Sequence, residues 1–401
     1  MSTRTSRAAV RPLTPTLSPE GRGGTAAPTL APPGRGRDPA AGREGEGAPP
    51  QKTLRRPAEF VAAGLVAPER ASALAAVAER FAVAITPDMA DLIERGDAHD
   101  PIARQFVPDA RELETHPEED QDPIGDRRLS PLKGIVHRYP DRVLLKPSHV
   151  CPVYCRFCFR REQVGPEGQS LTAAELAAAL DYIRARPEIW EVIVTGGDPF
   201  LLSPRRLAGI VRALDAIPHL GVIRFHTRVP IVAPDRVGPA LVKALAAEKA
   251  VYVAIHANHP RELTPKARAA CLNLARAGIP LLGQSVLLRG VNDDAAVLEA
   301  LFRGLAAMRV KPYYLHHPDL ARGTAQFRPT LAEGQALMRR LRGRVSGLCQ
   351  PTYVLDLPGG HGKVPVGPCY ATPQGDLGIW SVDDPEGHAH LYPPRGVDAR
   401  D

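Results

Sequence analysis

From Val143 to Leu341 the chain alternates short apolar runs with amphipathic ones, and this alternation restricts the fold more than any other feature. The apolar runs are Val143-Leu144-Leu145-Lys146, Glu191-Val192-Ile193-Val194, Val222-Ile223-Arg224-Phe225, Ala250 to Ile255, Leu281 to Leu288, and Lys311-Pro312-Tyr313-Tyr314-Leu315. Each has the length and the β-branched or aromatic content of a strand. Between them, Thr172-x-x-Glu175 is a capping box, and Ser203-Pro204 and Thr264-Pro265 pair an N-cap with a proline at the first helical position. Further helices are predicted around Ala240 to Ala247, Asp293 to Met308 and Leu331 to Leu341. Six β/α units in series predict an α/β fold with a parallel sheet, curved into an incomplete (β/α)6 TIM-like barrel. Chemistry on such a fold sits on the loops after the strand C-termini.

The 401 residues are long enough for this barrel and its appendages. Residues 1–57 are rich in Pro, Gly, Ala, Thr and Arg and lack apolar periodicity, so they predict a disordered low-complexity tail. Met89 is the only other methionine before residue 151, so a start downstream of the tail would need a non-AUG codon near residue 50. Residues 58–130 read as a helical N-terminal region followed by a linker. Apolar positions recur at helical spacing up to Phe81, Thr86-Pro87-Asp88 predicts a capped short helix, and the stretch from Asp97 to Ser130 is polar and broken by prolines. The barrel is assigned to 131–345 and a C-terminal segment to 346–401.

The net charge is +7, but the tail holds ten basic residues against four acids, so the body is close to neutral. Its arginines are spaced singly without aromatics, which argues against a nucleic-acid partner. The six cysteines do not read as a disulfide framework. No apolar run reaches the roughly 18 residues of a membrane span, and no signal peptide is evident, so the expected location is cytoplasmic, without a membrane partner.

Cys151-Pro-Val-Tyr-Cys155-Arg-Phe-Cys158 sets three thiols at C-x3-C-x2-C spacing just after the first strand. Both zinc and iron–sulfur clusters normally want four protein ligands, and no fourth cysteine lies nearby. A [4Fe–4S] cube on three thiolates leaves one iron open, as a catalytic metal site must. A structural zinc knuckle, or buried cysteines at chance spacing, are the alternatives. Thr195-Gly196-Gly197-Asp198-Pro199 follows the second strand; its glycines let backbone approach a ligand, although Gly-Gly-Asp-Pro is also a common turn. Beyond the last helix, the glycine run Gly359-Gly360-His361-Gly362 presents Lys363, either as a Schiff-base lysine or as a solvated surface residue. It is not a phosphate loop, because Val364 follows the lysine.

The cysteine spacing, followed one β/α unit later by the glycine motif, resembles the radical S-adenosylmethionine superfamily. From about Asp100 to Val366 the chain is similar to the lysine 2,3-aminomutase family within it. The resemblance is carried by His137-Arg-Tyr-Pro-Asp-Arg142, the cysteine loop with Arg160-Arg161, Thr195-Gly-Gly-Asp198, His256-x-Asn258-His259-Pro260, Gln284 to Asp293, Pro312-Tyr-Tyr314 with Asp319-Leu320, and Pro358-Gly-Gly-x-Gly-Lys363. It implies a barrel of the radical S-adenosylmethionine type and an isomerase that moves the α-amino group of L-lysine from C2 to C3, giving β-lysine. It further implies a [4Fe–4S] cluster on Cys151, Cys155 and Cys158, and S-adenosylmethionine at Gly196, Gly197 and Asp198. Lys363 would carry pyridoxal 5'-phosphate, with Arg138, Tyr139 and Arg142 around it, and His256 and Gln284 are further cofactor-binding positions. Arg160 matches the arginine for the substrate carboxylate, and Asp319 and Asp356 match the aspartates for the substrate ε-ammonium.

Relatives acting on glutamate replace those acids, and relatives supplying β-lysine for elongation factor P tend to lack them, so lysine is the expected substrate. A 2,3-aminomutase for another amino acid and the elongation factor P branch are the alternatives. A one-electron reductant such as flavodoxin or ferredoxin and a possible homodimer are the implied partners. Two departures stand out. The family's structural zinc is not expected, since Asp294 occupies its cysteine position and no cysteine follows Cys369. The short C-terminal segment argues against carrying over a tetramer. A metal-binding nucleic-acid module is a distant alternative that leaves the β/α series and Lys363 unexplained.

Overall fold

The computed structural model describes residues 52–165, 170–375 and 378–394. Most of the expected tail therefore lies outside the described residues. Its last part does not behave as a tail: Leu54 is buried and pairs with Ile85. Four short helices precede the sheet, α1 (Pro57–Ala62), α2 (Ala71–Arg80), α3 (Pro87–Ala90) and α4 (Pro101–Phe106). They bury Phe60, Leu74, Met89 and Phe106 in the main core. Thr86 does precede α3, but its hydroxyl donates to the Val232 carbonyl and no side chain caps that helix.

Among the described residues nine strands form one sheet whose spatial order equals chain order: β1 (Ile135–Tyr139), β2 (Arg142–Ser148), β3 (Glu191–Gly196), β4 (Val222–Thr227), β5 (Ala250–His256), β6 (Leu281–Val286), β7 (Val310–His316), β8 (Thr352–Asp356) and β9 (Lys363–Pro365). Strands β2 to β8 run parallel, while the β1–β2 and β8–β9 pairs are antiparallel. The outermost strands β1 and β9 do not pair with each other, so the sheet is an open, curled barrel, as expected. The helices α5 (Ala173–Arg184), α6 (Pro204–Asp215), α7 (Val229–Val232), α8 (Pro239–Ala244), α9 (Pro265–Arg276), α10 (Ala295–Ala307) and α11 (Leu331–Leu341) connect the parallel strands. The Thr172 box forms in both directions, and Ser203 and Thr264 accept the N–H groups of Arg206 and Ala267. A seventh parallel strand, β8, exceeds the six expected. A small antiparallel sheet of β10 (Ala371–Pro373), β11 (Trp380–Asp383) and β12 (Ala389–Tyr392) follows. No described helix is long and apolar enough to cross a membrane.

The polar stretch before the sheet does more than wrap it. Glu112, Glu119 and Asp126 are all buried. Glu112 accepts from Arg156 Nε at 3.0 Å and also pairs with Arg161, both on the cysteine loop. Glu119 accepts the Gly323 N–H at 3.0 Å and pairs with Arg328. Asp126 accepts from Arg160 Nε at 2.7 Å. Removing one partner of a buried ion pair strands the other charge in a low-dielectric interior, typically at about 3–5 kcal/mol. Glu112→Ala, which strands two guanidiniums, is therefore expected to lower the thermal midpoint by many degrees. Asp181→Ala, which breaks an exposed pair with Arg184, should leave it nearly unchanged; equal shifts in thermal melts would contradict this account.

Candidate active site

Strand β2 ends at Ser148 and delivers the loop of Cys151, Cys155 and Cys158, all free thiols. One zinc ion with Zn–S bonds of about 2.3 Å holds every sulfur pair within about 4.6 Å. Among the described residues the three sulfurs do not form a set with every pair within 4.8 Å. Burial, reinforced by the Cys158 thiol, pushes Cys151 well up, and burial with Cys155 pushes Cys158 up to about 11. A metal cluster would need these thiols as thiolates and would itself supply the positive charge that stabilises them there. Tyr154 and Val164 pack against Cys151 and Cys158, and Phe157 and Phe327 wall the side of Cys155.

The glycine loop after β3 is sewn to this cysteine loop. The Gly197 N–H donates to Ser148 O at 2.7 Å and the Asp198 N–H to Val150 O at 2.9 Å. Gly196 has φ +114°, and a Cβ there would stand 2.4 Å from Ser148 O; at Gly197 it would stand 2.3 Å from Val150 O. The close approach that requires glycine is thus made to the cysteine loop itself. Asp198 accepts from Thr227 Oγ1 and the Arg228 N–H, each at 2.7 Å, and from the Phe200 N–H at 3.0 Å. Its carboxylate braces the ends of β3 and β4, with three of about four acceptor sites taken. Around the same rim, His256 ends β5 opposite Gln284 on β6. His256 Nε2 lies 3.2 Å from Asn258 Oδ1, and its ring meets Phe157 edge-on.

A second cluster gathers at the open edge of the barrel. The β8–β9 register sets Asp356 opposite Lys363. Lys363 Nζ pairs with Asp356 Oδ2 and lies 3.2 Å from His316 Nδ1, while its backbone N–H donates to Tyr139 Oη at 2.7 Å. Arg138 reaches Asp356 Oδ1 at 3.3 Å, Asp126 Oδ1 at 3.4 Å and Ile124 O at 2.7 Å, yet its Nε is buried without a partner. Arg142 stacks 3.8 Å over the Tyr139 ring and pairs with Asp141. Asp319, on the loop after β7, has a buried Oδ1 without a partner. Burial first, and then the Asp356 charge, push its carboxyl up to about 7. Burial would also raise Asp356, but His316 and the Lys363 ammonium hold it well below the usual carboxylate range. Burial and the Lys363 charge push His316 down, which keeps it neutral.

Arg160, expected to meet a substrate carboxylate, meets Asp126, which also reaches Arg138 and lies 3.7 Å from Lys146 Nζ. Burial would raise Asp126, but these three cations outweigh it and lower it. Asp126, His316 and Arg228 were absent from the expected site. His316, ending β7, and Arg228, directly after β4, sit where barrel chemistry is expected, whereas Asp126 precedes the sheet.

Residues 145–301 match the family described as Radical SAM superfamily, and residues 338–379 match that described as Lysine-2,3-aminomutase. L-lysine 2,3-aminomutase of Clostridium subterminale is 41% identical over 306 residues, covering 76% of this chain and 74% of that protein. The chain belongs to the lysine 2,3-aminomutase family. L-lysine 2,3-aminomutase of Fusobacterium nucleatum is 40% identical over 296 residues, covering 74% and 70% of the two chains. Glutamate 2,3-aminomutase of Clostridioides difficile is 38% identical over 299 residues, covering 75% and 71%. Lysine 2,3-aminomutases are isomerases on the radical S-adenosylmethionine fold, with a [4Fe–4S] cluster, S-adenosylmethionine and pyridoxal phosphate as cofactors. The residues present fit these groups: three free thiols on one loop for the cluster, and Lys363 beside the unpartnered Arg138 Nε for an anionic pyridoxal cofactor. Because Gly197 has no room for a Cβ, Gly197→Ala is expected to lower the iron bound after anaerobic reconstitution several-fold. Gly209→Ala, where a Cβ meets nothing within 4 Å, should bind as much iron as the parent, and iron analysis compares the two.

Proposed function

We propose that this protein is a pyridoxal-phosphate-dependent lysine 2,3-aminomutase, converting L-lysine to β-lysine. The observation that carries the substrate is the acid pair Asp319 and Asp356. Asp356 already holds a primary ammonium, that of Lys363, and Asp319 offers a buried oxygen with no partner. Such a pocket favours a cationic side chain and repels an anionic one. The relatives include enzymes named for lysine and for glutamate, and two buried carboxylates suit the former. Beyond Arg138, which bridges Asp356 and Asp126, the Asp126 carboxylate also meets Arg160 and Lys146. That local surplus of positive charge suits the α-carboxylate of an amino acid.

When bound, the cluster with S-adenosylmethionine supplies one-electron cleavage to a radical, and pyridoxal phosphate spreads the unpaired electron during migration. The chain's own residues position and protect. Lys363 Nζ must lose a proton to bind the cofactor carbonyl, and Asp356 is the acceptor beside it. Tyr139 fixes the Lys363 backbone, while Phe157 and Phe327 keep water from the cysteine side.

Asp319→Asn and Asp356→Asn are each expected to lower kcat/KM for lysine by roughly 30-fold or more, since a cation then lies against a neutral amide in a buried site. Wild-type values from steady-state assays of either variant would remove the basis for lysine. The pH dependence has a defined sign. In the free protein Asp319 keeps its proton up to about 7, and binding an ammonium ionises it. Lysine affinity should therefore rise as pH increases through about 7, and Asp319→Asn should flatten that rise; a falling affinity over the same range would contradict the assignment. Holding a proton that the unfolded chain releases, Asp319 also lowers stability as pH rises from the ordinary carboxylate range to about 7.

A further inference from the structure

We propose that Arg228 is a positioning residue of the cluster, which fixes Cys155 and raises the potential at which the cluster accepts its electron. Arg228 follows β4 and is only 6% exposed. Its Nη1 donates to Cys155 Sγ at 2.7 Å. Its Nη2 donates to Gln105 Oε1 at 2.6 Å and to Glu262 Oε2 at 2.7 Å, and its backbone N–H is held by Asp198. The guanidinium also lies 4.6 Å from the Phe106 ring centroid and 5.6 Å from that of Phe157. It is thus held from several sides with one nitrogen aimed at a cluster ligand.

The neutralisation of this cation is incomplete. Glu262 is its only carboxylate partner among the described residues, and Glu262 also accepts the N–H groups of Asn258 at 3.0 Å and His259 at 2.9 Å, and Gln105 Nε2 at 2.9 Å. The carboxylate is therefore shared, and part of the Arg228 charge faces the sulfur. A three-thiolate cluster gains one unit of negative charge when it takes one electron. A hydrogen bond and a positive charge at a ligating sulfur stabilise that reduced form more than the oxidised one, so the potential rises. The same residue ties the cysteine loop, through Asp198, to the glycine loop implied in holding S-adenosylmethionine.

The inference rests on the cluster and is independent of the amino-acid substrate, so turnover does not enter the test. The reconstituted full chain would be reduced stepwise with a chemical one-electron reductant while EPR follows the reduced cluster, with iron and sulfide measured alongside. Arg228→Gln is expected to shift the potential to more negative values. Glu262→Gln, which keeps an acceptor but removes the compensating charge, is expected to shift it to more positive values. Arg228→Lys should fall between Arg228→Gln and the parent. General loosening of the loop would move Arg228→Gln and Glu262→Gln the same way, and that result overturns the proposal. So does an unchanged potential in a fully loaded Arg228→Gln. Should Arg228→Gln bind no iron, Glu262→Gln decides alone: a more positive potential supports the role, and an unchanged or lower one refutes it.

Discussion

Four guanidiniums, those of Arg156, Arg160, Arg161 and Arg228, are held out of water around three thiols, and the placement of the rest follows from matching them with carboxylates. Glu112 answers Arg156 and Arg161, Asp126 answers Arg160, and Glu262 answers Arg228. Two of these acids come from the segment that precedes the sheet, so that segment is bound into the site. Buried pairs of this kind are poor sources of net stability, because desolvation offsets most of the attraction. Their contribution here is geometric: a loop with three ligands must be fixed before a cluster can join them. The backbone bonds from Gly197 and Asp198 then fix the next loop to the first.

This matching explains what could and could not be read from the sequence. Strands, N-caps and the cysteine spacing are local signals, and they located β2 to β7, the caps of α5, α6 and α9, and the cysteine loop after β2. The burial of Glu112 is settled by arginines more than forty residues downstream, and in the sequence it is one acid in a polar, proline-broken stretch. Strand β8 has only five residues between a loop and a glycine run, and its place is set by pairing with β7. Thr86 offered a capping signal, but a carbonyl on a distant helix supplied a competing acceptor. Gly196 and Gly197 suggested close backbone approach, and they make one to the end of β2 and the residues just after it.

In the proposed reading, the lysine edge of the barrel serves a cofactor and a substrate in turn. Asp356 and Lys363 face each other because β8 and β9 are antiparallel neighbours in that register. With Lys363 holding the cofactor, Asp356 would be free to accept a different ammonium. Asp319, raised by burial and by Asp356, is poised to ionise when that second cation arrives. In the proposed reading the substrate's own ε-ammonium fills the place that Lys363 leaves, while the cations around Asp126 receive its carboxylate.

The most direct measurement is the product formed by the anaerobically reconstituted full chain from an equimolar mixture of L-lysine and L-glutamate, with S-adenosylmethionine, pyridoxal phosphate and a reductant. The charge arrangement predicts β-lysine and no β-glutamate. Formation of β-glutamate, or no β-lysine from protein loaded with both iron and pyridoxal phosphate, would contradict it.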